Sequence, residues 1–176
     1  NWLDQIVGDI SLFDSLIDSV NISSIAGIFE YNGRIVTSDN MMINLNGQSV
    51  NLKIDSFSDA DNFNISGGVN INDFSNNSTL EKYGLDSLSG DLNFKWIRST
   101  VLNEFSADIN FSEGILLKNK FSGFEGNISG EITNAQFSGT SSGILNGWQY
   151  KSYNWDSIYF NVDLLNENLK YFELDA

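Results

Sequence analysis

The 176-residue chain has no cysteine, no histidine and no proline. Without cysteine there is no disulfide, no thiolate nucleophile and no cysteine-based zinc or iron–sulfur site. Without histidine the commonest general base, the Ser-His-Asp triad and imidazole-ligated metals are excluded. Average usage would place about nine prolines in a chain this long, so Gly, Asn, Asp and Ser must make the turns. Basic residues are also scarce, with 9 Lys+Arg against 23 Asp+Glu and a formal charge of −14. A nucleic-acid partner is excluded on that balance, because phosphate binding needs clustered cations. An anionic membrane surface is disfavoured for the same reason. No run of about 20 apolar residues is present to span a bilayer as a helix.

What remains is apolar enough to fold: 41% hydrophobic and 13% aromatic residues, with only 18% charged. The polar surface therefore rests on Asn and Ser. The length suits one domain, residues 1–176. The chain starts at Asn1, which reads as a processed protein or a segment of a larger one. Its first 20 residues carry Asp4, Asp9, Asp14 and Asp18 and lack the basic start of a signal peptide.

Two periodicities divide the chain. Over residues 1–20, Trp2, Leu3, Ile6, Val7, Ile10, Phe13, Leu16, Ile17 and Val20 recur at i, i+3, i+4 and i+7, which predicts an amphipathic helix. Docked through Ile6, Ile10, Phe13 and Ile17, it would cover a sheet. From residue 21 to 176 the period is two. Ile43, Leu45, Val50, Leu52 and Ile54 alternate with polar residues around Asn46-Gly47, a hairpin signal. Phe63, Ile65, Val69 and Ile71 follow, then Leu92, Phe94 and Trp96; Phe105, Ala107, Ile109 and Phe111; Ile128 and Ile132; and Ile158, Phe160, Val162 and Leu164. Asn32-Gly33, Asn146-Gly147 and several Ser-Gly pairs punctuate the runs. Apolar-in, polar-out alternation with short connections predicts a mainly β fold, an antiparallel meander, either curled into an open groove or closed as a sandwich. Residues 75–83, followed by Gly84, lack strand period and read as one short helix.

Candidate sites are few. Asp55, Asp59, Asp61, Asn62 and Asn64 form the densest set of oxygen ligands, but Phe63 breaks the EF-hand spacing. They read as a solvated hairpin turn, and no metal or other cofactor is expected. Asp108, Glu113, Glu125 and Glu131 lie near strand ends, and nothing marks a pair of them for glycoside hydrolysis. No Ser-x-x-Lys or phosphate loop occurs. No catalytic residues are assigned, and the chain reads as a non-enzyme. Sequons occur at Asn21, Asn64, Asn76, Asn77, Asn110 and Asn127; with this much Asn and Ser, roughly four arise by chance, so they say little about glycosylation. Near the C-terminus Trp148 and Tyr150 share one parity, and Tyr153, Trp155 and Tyr159 share the other. Ile158 and Phe160 occupy the apolar face. This leaves Tyr153, Trp155 and Tyr159 facing out, either under another element such as the N-terminal helix or free to stack on a ligand.

Residues 67–114 carry a recognisable order: Gly-Gly-Val-Asn-Ile-Asn-Asp-Phe, a polar stretch ending Leu-Glu-Lys-Tyr-Gly, Leu-Ser-Gly-Asp-Leu-Asn-Phe-Lys-Trp, and Phe-Ser-Ala-Asp-Ile-Asn-Phe-Ser-Glu-Gly. This quarter of the chain resembles the AsmA-like family of bacterial envelope proteins, in particular its YhdP-type members. The resemblance implies a long curled sheet with an apolar inner groove that carries phospholipid through the cell envelope. In that reading Leu92, Phe94, Trp96, Phe105, Ile109, Phe111, Ile158, Phe160 and Val162 would line the lipid path, in the periplasm. The alternative is a secreted or surface β-sandwich that binds carbohydrate through Tyr153, Trp155 and Tyr159. Period-two alternation serves a filled core and an open groove equally, so the sequence leaves both standing.

Overall fold

The structure is a computed structural model that describes residues 6–17, 20–45, 48–71, 85–133, 136–165 and 168–176. Among them are twelve β-strands and no helix: β1 (Ile6–Ile17), β2 (Val20–Tyr31), β3 (Val36–Leu45), β4 (Gln48–Asp59), β5 (Asn62–Ile71), β6 (Leu85–Arg98), β7 (Asn103–Leu116), β8 (Asn119–Phe121), β9 (Gly123–Thr133), β10 (Gln136–Tyr150), β11 (Tyr153–Leu165) and β12 (Asn168–Asp175). They belong to one sheet, ordered β1 to β7 and then β9 to β12, with β8 paired to β7 off that path. The antiparallel meander is thus as expected, whereas the two-sheet sandwich is not formed among the described residues.

The chain divides into two compact units. One comprises Asn1–Val69 with Asn93–Glu104, the other Asn70–Leu92 with Phe105–Ala176. In the first, β1 to β5 follow one another as hairpins. Asn32 and Gly33 make the β2–β3 turn as their sequence predicts. The Asn32 side chain accepts from the Arg34 and Ile35 backbone N–H groups at 3.3 and 3.0 Å, and Gly33 takes the positive φ of 85°. Met41 and Val50 are buried, and the buried Ser38 donates its hydroxyl to the Ile28 carbonyl at 2.7 Å. In the second unit β9, β10, β11 and β12 pair in order. Leu88, Ala107, Phe121, Leu145 and Ile158 are buried there.

The expected N-terminal helix is replaced by β1. Residues 6–17 pair with β2 over their whole length, from Ile6 opposite Tyr31 to Ile17 opposite Val20. The local composition accounts for this. Ile6, Ile10, Leu12 and Leu16 also satisfy a period of two. The segment is rich in β-branched residues, Ser and Asp, with few strong helix formers. A helix-like spacing therefore competed with a strand-like composition, and pairing with the adjacent β2 decided it. The proposed short helix at 75–83 and the Asn46-Gly47 turn lie outside the described residues. Asn146-Gly147 does not end a strand. It sits inside β10, where Gly147 has φ 59° and the Ser122 backbone N–H donates to the Asn146 carbonyl at 2.9 Å.

Candidate functional site

The second unit presents two chemically different faces, and the strand registers define both. On β9, residues alternate between half-buried Phe124, Gly126, Ile128, Gly130 and Ile132 and exposed Glu125, Asn127, Ser129, Glu131 and Thr133. Gly126 pairs with Gly143 of β10, and Gly143 pairs with Phe160 of β11. The Phe160 ring extends over Gly143, where a Cβ would come within 2.8 Å of it, and the Phe124 ring extends over Gly126. With no side chains beneath them, the two rings stack, centroids 5.7 Å apart and planes 15° from parallel. Phe111 of β7 stacks on Phe124 in turn at 6.0 Å. Each such pair is worth about 0.5–1.5 kcal/mol beyond area burial. All three rings are nevertheless only half-buried. The apolar face continues to the sheet edge, because Phe160 pairs with Leu174 and Val162 with Phe172, which are 54% and 53% exposed.

The sequence-derived apolar set falls on inward parity throughout. Leu92, Phe105, Ile109, Phe111, Phe160 and Val162 are half-buried and Ile158 is buried, all in the second unit. Phe94 and Trp96 are half-buried in the first unit. There the Phe94 ring covers Gly67, while Trp96 meets Phe63 edge-on at 5.1 Å and donates its indole N–H to the Asn103 side chain at 2.8 Å. Sequence reasoning missed Phe124, Phe137 and the glycines between them. The available signal was a strand in which glycine takes every second inward position, between aromatic and aliphatic residues of the same parity.

The other face carries the aromatic set. Tyr153 and Tyr159 are 64% and 53% exposed, and Trp155 is half-buried. No helix covers them among the described residues, since the segment expected to do so is β1. Trp155 pairs with Trp148 across the hairpin and stacks on it at 5.3 Å. Tyr153 stacks on Trp155 and Tyr150 on Trp148, both at 5.9 Å, giving four rings in series. Lys151 lies over the Tyr150 ring at 5.1 Å. Strand alternation sets Tyr159 on the Trp155 side of β11. An open trough of about 720 Å³ runs there, lined in part by Asp108, Glu125, Asn127, Asn161, Tyr159 and Glu173.

The remaining candidates lie on hairpins and strand faces. Asp59 closes the β4–β5 turn, accepting from the Asp61 backbone N–H at 2.9 Å and from Asn62 Nδ2 at 3.0 Å. Those bonds, the Asp61 N–H foremost, hold its carboxyl below the usual carboxylate range. Asp61 pairs with Arg98 and Asp55 with Lys53, each at 2.7 Å. The cluster's charges are thus met within the β4–β5 hairpin and by Arg98 at the end of β6, and among the described residues no three metal-ligating side chains converge. Glu113 and Glu131 are exposed and, unlike Asp108 and Glu125, do not line the trough.

Comparison with family models, with curated proteins and with solved structures finds no match for this chain.

Proposed function

We propose that this chain is a non-enzymatic lipid-binding segment, whose apolar sheet face holds phospholipid acyl chains in the bacterial cell envelope. The observation that carries the reading is the Phe111–Phe124–Phe160 row. The three rings stack in register, yet each stays half-buried. A filled core of this size would bury such rings completely, and exposed contiguous apolar surface on soluble proteins usually marks a binding site. Phe124 and Phe160 lie over glycines and are flanked by Ile158 and Val162, so the row itself offers carbon; the neighbouring Ser141 hydroxyl is already donated to the Asn127 carbonyl at 3.0 Å. Such a surface fits an acyl chain and leaves a peptide's backbone groups unpaired. The resemblance of residues 67–114 to AsmA-like envelope proteins points the same way.

The test is native mass spectrometry with lipid extraction on protein purified from bacterial cells. Co-purified phospholipid, displaceable by a fluorescent fatty acid, is expected. Protein that emerges free of lipid and takes up no fatty acid would contradict the reading.

A further inference from the structure

The face opposite the phenylalanine row has a different chemistry, and we propose that it is a second site, which binds an extended, uncharged glycan. Three observations converge. The first is a supply of flat aromatic surface. Tyr153 and Tyr159 stand on one side of β11, both more than half exposed. Tyr153 is braced from behind by the Trp155–Trp148–Tyr150 stack, which fixes its ring before any ligand arrives. A sugar ring lays its C–H face on such a surface, whereas an acyl chain would strip water from the phenol hydroxyls without replacing it.

The second is the balance of hydrogen-bonding groups. The trough beside Tyr159 is lined by Asp108, Glu125, Glu173 and Asp175 together with Asn127 and Asn161. Carboxylates only accept, and the amides accept as well as donate. The complement of an acceptor-rich trough is a ligand rich in hydroxyl donors. Four carboxylates, with no Lys or Arg in the lining, exclude an anionic ligand by charge. The third is distance. Tyr153 and Tyr159 are six residues apart along one strand, about 20 Å at ~3.3 Å per residue. A single sugar cannot reach both. The site therefore takes a chain of several units laid along β11, with its ends on the two tyrosines.

The experiment is isothermal titration of the whole chain with β-1,4-linked hexamers of glucose and of N-acetylglucosamine, the matching dimers, and a galacturonic acid hexamer. At least one neutral hexamer is expected to bind, at least about tenfold more tightly than its dimer, where tenfold corresponds to about 1.4 kcal/mol. The galacturonate hexamer is expected to be weaker than the neutral one. Tyr159→Ala and Tyr153→Ala are each expected to lose about tenfold or more while staying folded; Tyr159→Ala keeps the parent's melting temperature, Tyr153→Ala lowers it modestly because its stack on Trp155 is lost, and Tyr159→Phe keeps binding. Because both side chains are exposed, the alanine variants retain the fold. No binding of either neutral hexamer would overturn the proposal. So would dimers as tight as hexamers, a preference for galacturonate, or alanine variants that bind like the parent. Lipid co-purification is read separately, so a failure here leaves the opposite face's reading intact.

Discussion

Gly143 of β10 lies directly opposite Phe160 of β11, and the phenylalanine ring covers the space that a side chain at 143 would fill. The same geometry recurs in the first unit, where Phe29 of β2 is paired with Gly8 of β1 and covers it. Glycine is ordinarily a weak strand residue, having no side chain to pack and a high entropic cost. Here a ring borrowed from the next strand provides the missing packing. The arrangement lays aromatic rings along the sheet, which lets Phe160 reach Phe124 across β10.

Gly143→Val should therefore be harmful even though valine is the better strand former. Its Cβ would crowd the Phe160 ring and the Glu125 carbonyl. We expect a loss of about 1–3 kcal/mol, the usual range for overpacking, measured by denaturant unfolding. A variant as stable as the parent would show that the ring does not rest on the glycine.

The β7–β8 turn makes the opposite prediction. Leu117 and Lys118 both have positive φ, 51° and 66°, between the paired residues Leu116 and Asn119. That is the geometry for which Asn-Gly is preferred in a two-residue hairpin. Replacing Leu117-Lys118 with Asn-Gly should raise stability by about 1 kcal/mol by removing left-handed strain. A lower melting temperature would contradict the turn assignment.

Asp59 gives a pH-dependent signature. Its carboxyl is held below the usual range by the Asp61 N–H and the Asn62 side chain. A carboxylate depressed in the folded state stabilises above its unfolded pKa, and that contribution disappears as pH falls through the folded value. Asp59→Ala should therefore lower the melting temperature at about pH 6, above the ordinary Asp range of about 3.9, and the two proteins should converge at strongly acidic pH. A gap that persists unchanged into acid would show that the carboxylate charge is not what closes the turn. With no histidine in the chain, the parent's stability should be flat between about pH 6 and 8.

Much of the sheet could be read in advance, because its side chains obey a period of two with few exceptions. Phe105, Ala107, Ile109 and Phe111 alternate with Ser106, Asp108 and Asn110 in sequence, and the same residues alternate in burial along β7. The errors have physical causes. At residues 6–17 the apolar positions suited both helix and strand, and only the partner β2 resolved the ambiguity. On β9 and β10, glycine stood at inward positions and concealed the apolar face, so Phe124 went unnoticed beside Ile128 and Ile132. Asn146-Gly147 has a turn's composition, yet it sits within β10, where Gly147 approaches Ser122 too closely for a side chain. Tyr153 and Tyr159 are exposed as their parity predicts, whereas Trp155 is half-buried against Trp148. The continuation of the aromatic set through Trp148 and Tyr150 depends on pairing across the hairpin, information that spacing along one strand does not contain.

The central claim is that the phenylalanine row contacts lipid and does not fill a core. Phe111→Asp separates the two most directly, measured as fatty-acid uptake and thermal unfolding on the same sample. A charge placed in a filled core typically costs more than about 4 kcal/mol, enough to unfold a domain of ordinary stability. On an open lipid-contacting face, Phe111→Asp should stay folded with a modestly lower melting temperature and lose uptake. An unfolded variant from a parent that carries no lipid, or a folded variant that takes up fatty acid as well as the parent, would contradict it.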